Sequence, residues 1–200
     1  MEKPAETQFP IHDILRRRWS PWAFTDHPVE KSTLGSLLEA ARWASSCFNE
    51  QPWAFIVATK ENPAGYAQAL DCLVENNRVW AQRAPLLMFT IVKPTFEYNG
   101  KINPHAWHDV GLAVGNLVVQ ATAMGLGVHQ LAAIYPDRVR ETYGIPESHE
   151  PVSGLVVGYK GNPNGLPEPI RAKEFAPRSR RNLEDFVYAE HWGRPVPFRE

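Results

Sequence analysis

The chain has 200 residues, 44% of them hydrophobic and 22% charged, and carries a formal net charge of −1. This length favours a single domain, and this composition excludes a disordered chain, which would lack the apolar surface that offsets the entropy of ordering. A charge so near zero provides no positive field for a polyanion, which excludes nucleic acid as the main partner. The two cysteines, Cys47 and Cys72, are too few for a disulfide framework.

Neither the beginning of the sequence nor its apolar runs carry a targeting or membrane signal. The first ten residues, MEKPAETQFP, lack the apolar core of a secretion signal. The longest weakly polar run, Val110–Val119, is too short to span a bilayer. The sequence therefore predicts a cytoplasmic protein without a membrane partner.

Helical and extended patterns alternate along the chain. Apolar residues spaced three and four apart predict helices at 11–18, 34–44, 65–74, 109–124 and 137–143, the second with Ser32 or Thr33 as its cap. Short apolar runs predict buried strands at 53–59, 85–92, 127–131 and 153–159. The segment 161–177, rich in Gly, Pro and Asn, is predicted to be a loop. This order indicates an α/β or α+β fold, with residues 1–200 in one domain.

The end of the chain holds more aromatic rings than a solvated tail would. Phe186, Tyr188, Trp192 and Phe198 all lie within the segment 186–200. These rings either fold back on their own domain or pack on a partner subunit, and we predict the second.

Two arginine clusters lie far apart in the sequence. The first is Arg16-Arg17-Arg18, with Ser20 two residues beyond, and the second is Arg178-Ser179-Arg180-Arg181. A guanidinium and a hydroxyl at this spacing can bind one phosphate. In a chain of almost no net charge, the two clusters either pair with surface carboxylates or converge on one phosphate.

A polar segment, Ser45–Gln51, lies between a predicted helix and a predicted strand. The amides of Asn49 and Gln51 offer donors and acceptors without charge, which suits the edge of a heteroaromatic ring. The alternative is a simple turn closed by Pro52.

Other candidate motifs are incomplete. His105 and His108 lie near Asp109, but no further ligand follows at a characteristic metal spacing. Cys47 has no paired histidine at a recognisable spacing, and Gly125-Leu126-Gly127 follows a helix and therefore indicates a helix stop. We expect no metal and no catalytic side chain.

Taken in order, these segments resemble the FMN-dependent nitroreductase family. The segment Arg18-Trp19-Ser20-Pro21-Trp22-Ala23-Phe24 is similar to the family's opening R-x-S-x-[KR]-x-F, and the segment from Ala44 to Trp53 to its A-P-S-x-x-N-x-Q-P-W. Further matches follow in family order: Asn77-Arg78-Val79-Trp80 with Ala84-Pro85, Asp109-Val110-Gly111, Gly125-Leu126-Gly127, Gly144–Glu147, Gly158-Tyr159 and the closing pair Arg178-x-Arg180. The resemblance covers roughly residues 10–193.

The resemblance implies an intertwined, homodimeric α+β flavoprotein with a mostly antiparallel central sheet flanked by helices and FMN at the subunit interface. It implies an oxidoreductase in which NADH or NADPH passes hydride to flavin N5, and a nitroaromatic, quinone or similar small acceptor then takes two electrons at the same site by a ping-pong cycle. Arginines and Ser20 would hold the phosphate, Asn77 would meet the pyrimidine edge, and the Ser45–Gln51 loop would come from the other subunit. The candidate cofactor-binding residues are Arg16, Arg17, Arg18, Ser20, Ser45, Ser46, Asn49, Gln51, Asn77, Leu131, Ala132, Ala133, Arg178 and Arg180.

One residue departs from the family pattern. Trp22 stands where the family usually has Lys or Arg near flavin N1 and O2, which would weaken stabilisation of the reduced flavin unless Arg78 or Arg83 takes that role. Two alternative functions stay open: a specialised relative that destroys flavin or removes halogen reductively, and a flavin-binding protein without turnover.

Overall fold

The computed structural model describes residues 2–198. Its helices are α1 (Asp13–Arg17), α2 (Lys31–Arg42), α3 (Pro63–Asp71), α4 (Glu75–Ala81), α5 (Ala106–Ala123), α6 (Pro136–Tyr143) and α7 (Glu168–Phe175). Its strands are β1 (Trp53–Thr59), β2 (Leu86–Val92), β3 (Leu126–Leu131) and β4 (Glu150–Tyr159). Short 3-10 turns occur at Cys47–Asn49, Pro163–Gly165 and Leu183–Asp185.

The four strands form one antiparallel sheet in the order β1-β2-β4-β3. Its register is fixed by pairs such as Phe55 with Thr90 and Val128 with Val157. This arrangement confirms the predicted α+β fold, with all four strands close to their expected positions.

Helices cover both faces of the sheet. Every residue of β2 is buried, and its side chains alternate between the two faces as the pleat requires. Leu87 and Phe89 pack into a cluster with α3, α4 and α6, whereas Leu86 and Met88 pack into a second cluster with α2 and α5. The sheet is therefore the middle layer of three, which explains why its central strands read as continuous apolar runs.

Two predicted helix boundaries are wrong. The predicted helix 65–74 ends at Asp71, and α4 follows it as a separate helix that the sequence did not reveal. The break arises because Leu73 forms a bridge with Ile134, which draws the connection between the helices into pairing with a distant segment. Helix α2 begins at Lys31 with Glu30 at the N-cap position and no capping hydrogen bond from its side chain, so neither Ser32 nor Thr33 is the cap.

The predicted loop 161–177 also contains a helix, α7. Its two prolines, Pro167 and Pro169, stand at the cap and in the first turn. There the missing proline N–H costs nothing, because the first N–H groups of a helix have no partner within it. The prolines therefore mark a helix start and not an irregular loop.

No helix within residues 2–198 is long and apolar enough to cross a membrane.

In the tail, Tyr188 packs against Trp192 with ring centroids 4.9 Å apart, while Trp192 is 92% exposed. Residues 199 and 200, which belong to the predicted partner-binding tail, lie outside the described residues.

Two tyrosines near the core offer a matched test of hydrogen bonding. The Tyr66 hydroxyl donates to the carbonyl oxygens of Ala84 and Ala81 at 2.5 and 3.1 Å, whereas the buried Tyr143 hydroxyl has no partner among the described residues. Removing a satisfied hydroxyl leaves its acceptors unpaired, but removing an unsatisfied one does not. We expect Tyr66→Phe to lower the free energy of unfolding by about 1–3 kcal/mol and Tyr143→Phe by less than about 0.5 kcal/mol. Urea denaturation measures both, and equal losses would contradict the assignment.

Candidate functional site

Two segments that are distant in sequence bring their guanidinium groups together beyond the end of α1. Arg18 follows α1 and donates from Nη1 to the Ser20 hydroxyl at 3.3 Å. Arg178 follows α7 and donates from Nη1 to the backbone carbonyls of Lys3 and Arg16, at 2.5 and 3.1 Å. The N-terminal segment, the residues after α1 and the chain after α7 therefore meet at one place.

The convergence leaves this place strongly positive. Burial lowers the pKa of Arg18, and the charges of Arg178 and Arg180 lower it further. The pKa of Arg178 is likewise lowered by burial and then by Arg180. No ion pair among the described residues includes any of these three arginines. An entering anion would relieve their mutual repulsion.

The arginines line an open groove of about 770 Å³. The groove combines cations with apolar side chains, as expected for a ligand that has both an anionic and a hydrophobic part. Its lining residues are Ala5, Glu6, Thr7, Gln8, Phe9, Ile11, Leu15, Arg18, Arg178, Ser179, Arg180, Arg181, Asn182, Leu183 and Phe186.

A second group of predicted site residues lies where β3 ends. The chain leaves the buried Leu131 and turns outward through the exposed Ala132 and Ala133. The carbonyl of Ala133 accepts from the Asn77 side-chain amide at 3.2 Å and from the Val74 N–H at 3.4 Å. Helix α4 thus fixes the exposed backbone after β3, and Asn77 lies beside it.

The loop Ser45–Gln51 is held in an unusual backbone conformation. Phe48, Asn49 and Gln51 have φ values of 52°, 58° and 49°, in the left-handed region that disfavours residues with a side chain. The Ser46 hydroxyl accepts the N–H of Gln51 at 3.0 Å, which closes the loop. Such strain persists only where surrounding contacts impose it, and it commonly marks a functional segment.

Helix α5 supplies those contacts. The buried carboxylate of Asp109 accepts the N–H of Cys47 at 2.9 Å and lies 3.1 Å from His108 Nδ1. The loop and helix enclose a recess of about 290 Å³, which shares no lining residue with the arginine groove. Its lining residues are Ser45, Ser46, Cys47, His105, His108, Asp109 and Leu112.

Comparison with known proteins decides the family. Residues 15–159 match the model of the nitroreductase family. The chain belongs to the nitroreductase family. A solved structure described as an oxidoreductase containing FMN superposes with a TM-score of 0.88 at 29% identity, covering 94% of this chain and 95% of that one.

Two further relatives are matched over only about 60% of their own length. An FMN reductase [NAD(P)H] of Bacillus subtilis is 25% identical over 159 residues, which is 68% of this chain and 60% of that protein. An uncharacterized 15.4 kDa protein of Mycolicibacterium smegmatis is 28% identical over 88 residues, which is 44% of this chain and 59% of that protein.

Trp22, the departure from the nitroreductase pattern, packs within an aromatic cluster. Its ring lies 4.8 Å from that of Trp80 and 4.4 Å from that of His129. His129 Nδ1 lies 2.9 Å from the Pro21 carbonyl, and burial lowers the pKa of His129 and so favours the neutral ring. Lys173 Nζ, on the unpredicted helix α7, lies 5.5 Å from the Trp22 ring.

The arginines expected to replace the missing cation have other partners. Arg78 pairs with Asp71 at 2.8 Å and with Glu75 at 3.4 Å. The guanidinium of Arg83 packs against the backbone of Gly165. A Cβ added at Gly165 would lie only 2.5 Å from Arg83 Nη1. Among the described residues, the cation that lies over the Trp22 ring is Lys173.

The three arginines of the first cluster, Arg16-Arg17-Arg18, make different contacts. Arg17 pairs with Asp13 at 2.6 Å, and Arg16 contributes its backbone carbonyl to Arg178. Of the three arginines, only Arg18 lines the groove.

Residues 2–198 hold no group of three or more His, Cys, Asp or Glu side chains that could bind a metal. The Cys72 thiol is fully buried, and burial raises its pKa. Cys47 acts here through its backbone N–H to Asp109.

The sequence did not reveal Glu174 and Lys3, which contact the segments that carry the arginines. Glu174 and Lys3 bind the same segments as Arg18 and Arg178, yet they lie in ordinary charged stretches of sequence. Their partners are 152 to 173 residues away, so no local spacing could reveal them.

Proposed function

We propose that this nitroreductase-family protein is an FMN-dependent NAD(P)H oxidoreductase that reduces nitroaromatics, quinones or similar electron-poor acceptors. The observation that carries the proposal is the convergence of Arg18, Arg178 and Arg180 at one groove, with the Ser20 hydroxyl hydrogen-bonded to Arg18. The described FMN-containing structure and the B. subtilis FMN reductase [NAD(P)H] support the same cofactor and donor.

The residues present fit the phosphate of FMN. Three guanidinium groups repel one another without an ion-pair partner among the described residues, and the Ser20 hydroxyl lies beside them. A phosphate monoester carries nearly two negative charges and accepts several hydrogen bonds, so it matches this donor set. The apolar wall of the groove suits the flavin ring system better than a second phosphate.

FMN fits better than FAD. A pyrophosphate is usually bound by a glycine-rich turn between a strand and the helix that follows it. Here Gly125, with φ 81°, ends the helix α5, and Leu126 and Gly127 are the first two residues of β3. The segment Gly125-Leu126-Gly127 is therefore a helix stop, as predicted, and offers no pyrophosphate cradle.

The remaining candidate residues would bind and orient the ring. Asn77 would present its amide to the polar ring edge, and the exposed backbone at Ala132 and Ala133 would lie against the reactive part. When bound, FMN would supply the two-electron redox chemistry of the proposed ping-pong cycle between NAD(P)H and the acceptor. The chain's own residues are then needed for position and charge.

Anaerobic titration tests this activity. The purified yellow protein should lose the visible absorbance of its oxidised flavin when NADH or NADPH is added, and regain it with a nitroaromatic or quinone. A flavin that stays oxidised with both donors would contradict the proposed activity and favour a flavin-binding protein without turnover.

We also propose a homodimer in which the Ser45–Gln51 loop completes the partner's flavin site and the tail from Phe186 packs on the partner. The loop recess and the arginine groove share no lining residue, although both belong to the proposed site. The large exposed apolar side chains include Trp43, Phe48, Tyr98, Trp107, Leu112 and Trp192.

Light scattering of the flavin-loaded protein measures the oligomeric state. We expect about twice the chain mass of 22.6 kDa. A flavin-loaded monomer would contradict the shared site. The cytoplasmic location predicted from the sequence stays a prediction.

A further inference from the structure

Glu174 is a buried carboxylate directly behind the arginine groove, and it lines neither that groove nor the loop recess. It lies on α7 and is 2% exposed. Its Oε2 accepts the backbone N–H of Trp22 at 2.7 Å. Burial raises the pKa of Glu174, and the N–H groups of Trp22 and Ala23 and the charge of Lys3 oppose that rise. A buried carboxylate is costly unless hydrogen bonds and a cation compensate for lost water.

Lys3 provides that cation and links a third segment. Its Nζ donates to the backbone carbonyls of Glu174 and Ala176, at 2.7 and 2.6 Å, and its charge attracts the Glu174 carboxylate. The Lys3 carbonyl in turn accepts from Arg178. The N-terminal segment, the residues after α1 and the end of α7 are therefore tied together at Glu174.

This arrangement fixes the two halves of the anion site relative to one another. Ser20 lies two residues before Trp22 on one segment, and Arg178 lies four residues after Glu174 on the other. We propose that Glu174 is a positioning residue for a phosphate monoester: it holds the Trp22–Ala23 backbone against α7 so that Arg18 and Arg178 meet at one phosphate. The inference rests on the proposed function, because FMN is the phosphate ligand in question.

The test compares FMN with riboflavin, which has the same ring and no phosphate. Full-length protein freed of flavin is titrated with each ligand, and Kd is taken from the quenching of flavin fluorescence. For Glu174→Gln we expect FMN to bind about tenfold more weakly, as for a lost charge-assisted contact, and riboflavin to bind as in the parent. Glu168→Gln, an exposed carboxylate on the same helix, is the matched control and should change neither value.

Equal losses for FMN and riboflavin would assign Glu174 a general structural role and overturn the proposal, as would unchanged Kd values. If Glu174→Gln does not fold, Lys3→Met carries the test, since it removes the cation and leaves the carboxylate. It should reduce the preference for FMN over riboflavin, and an unchanged preference would overturn the proposal. A parent protein that binds neither flavin would instead overturn the proposed function itself.

Discussion

Arg18→Ala is expected to weaken FMN binding by about ten- to a hundredfold. The Arg18 guanidinium lies at the groove beside the Ser20 hydroxyl and within the field of Arg178 and Arg180. A charge-assisted hydrogen bond contributes roughly 1.5–3 kcal/mol, which corresponds to that range of affinity. Because the other two arginines repel Arg18 when no anion is bound, the flavin-free variant should unfold at the same or a slightly higher temperature than the parent.

A loss of FMN affinity without a loss of thermal stability distinguishes a binding defect from general damage to the fold. Flavin fluorescence titration gives the affinity, and thermal unfolding without flavin gives the stability. Arg17→Ala is the matched control, because Arg17 pairs with Asp13 and does not line the groove. An Arg18→Ala protein that retains FMN through dialysis as tightly as the parent would show that the phosphate lies elsewhere.

Gly161→Ala is expected to lower the free energy of unfolding by about 1–3 kcal/mol or more. A Cβ at this position would lie 2.6 Å from both the carbonyl carbon and the carbonyl oxygen of Phe24. The Gly161 N–H donates to the Ala23 carbonyl at 2.9 Å, and Phe24 and Lys160 form a bridge, so neither backbone can move freely. The added methyl group must push Phe24 away from residue 161. This shift would displace the segment that carries Arg18 and Ser20, which should also weaken FMN binding.

Gly35→Ala provides the control of opposite sign. Gly35 is exposed in the interior of α2, and a Cβ there would meet nothing within 4 Å. Alanine should stabilise this helix by about 0.5–1 kcal/mol, because it loses less backbone entropy than glycine. Denaturation of both variants measures the difference, and a Gly161→Ala protein as stable as the parent would contradict the close backbone approach.

The layers of the fold could be predicted because buried positions require apolar residues at regular spacings along the sequence. All of β2 and nine of the 18 residues of α5 are buried, and the apolar residues that this burial requires identified both elements. α4 was missed because the chain break before it depends on the distant pairing of Leu73 with Ile134. α7 was missed because its prolines were interpreted as loop residues, although they lie at the helix start.

The candidate site was predictable only where its residues stand in a recognisable local motif. Arg18, Ser20, Arg178 and Arg180 follow such motifs, and the structure brings the two segments that carry them together. Glu174 gave no signal, since its role depends on contacts with residues more than 150 positions away. The left-handed conformation of the Ser45–Gln51 loop was also unpredictable, because Phe48 and Gln51 are not residues that favour it.

The most direct test of the central claim is the identity of the flavin that the purified protein carries. The protein is heated to release its cofactor, and the supernatant is separated by chromatography beside FMN, FAD and riboflavin standards. An anion site built for one phosphate monoester should yield FMN, close to one per chain. FAD, riboflavin or no flavin from protein that had been supplied with FMN would contradict the account.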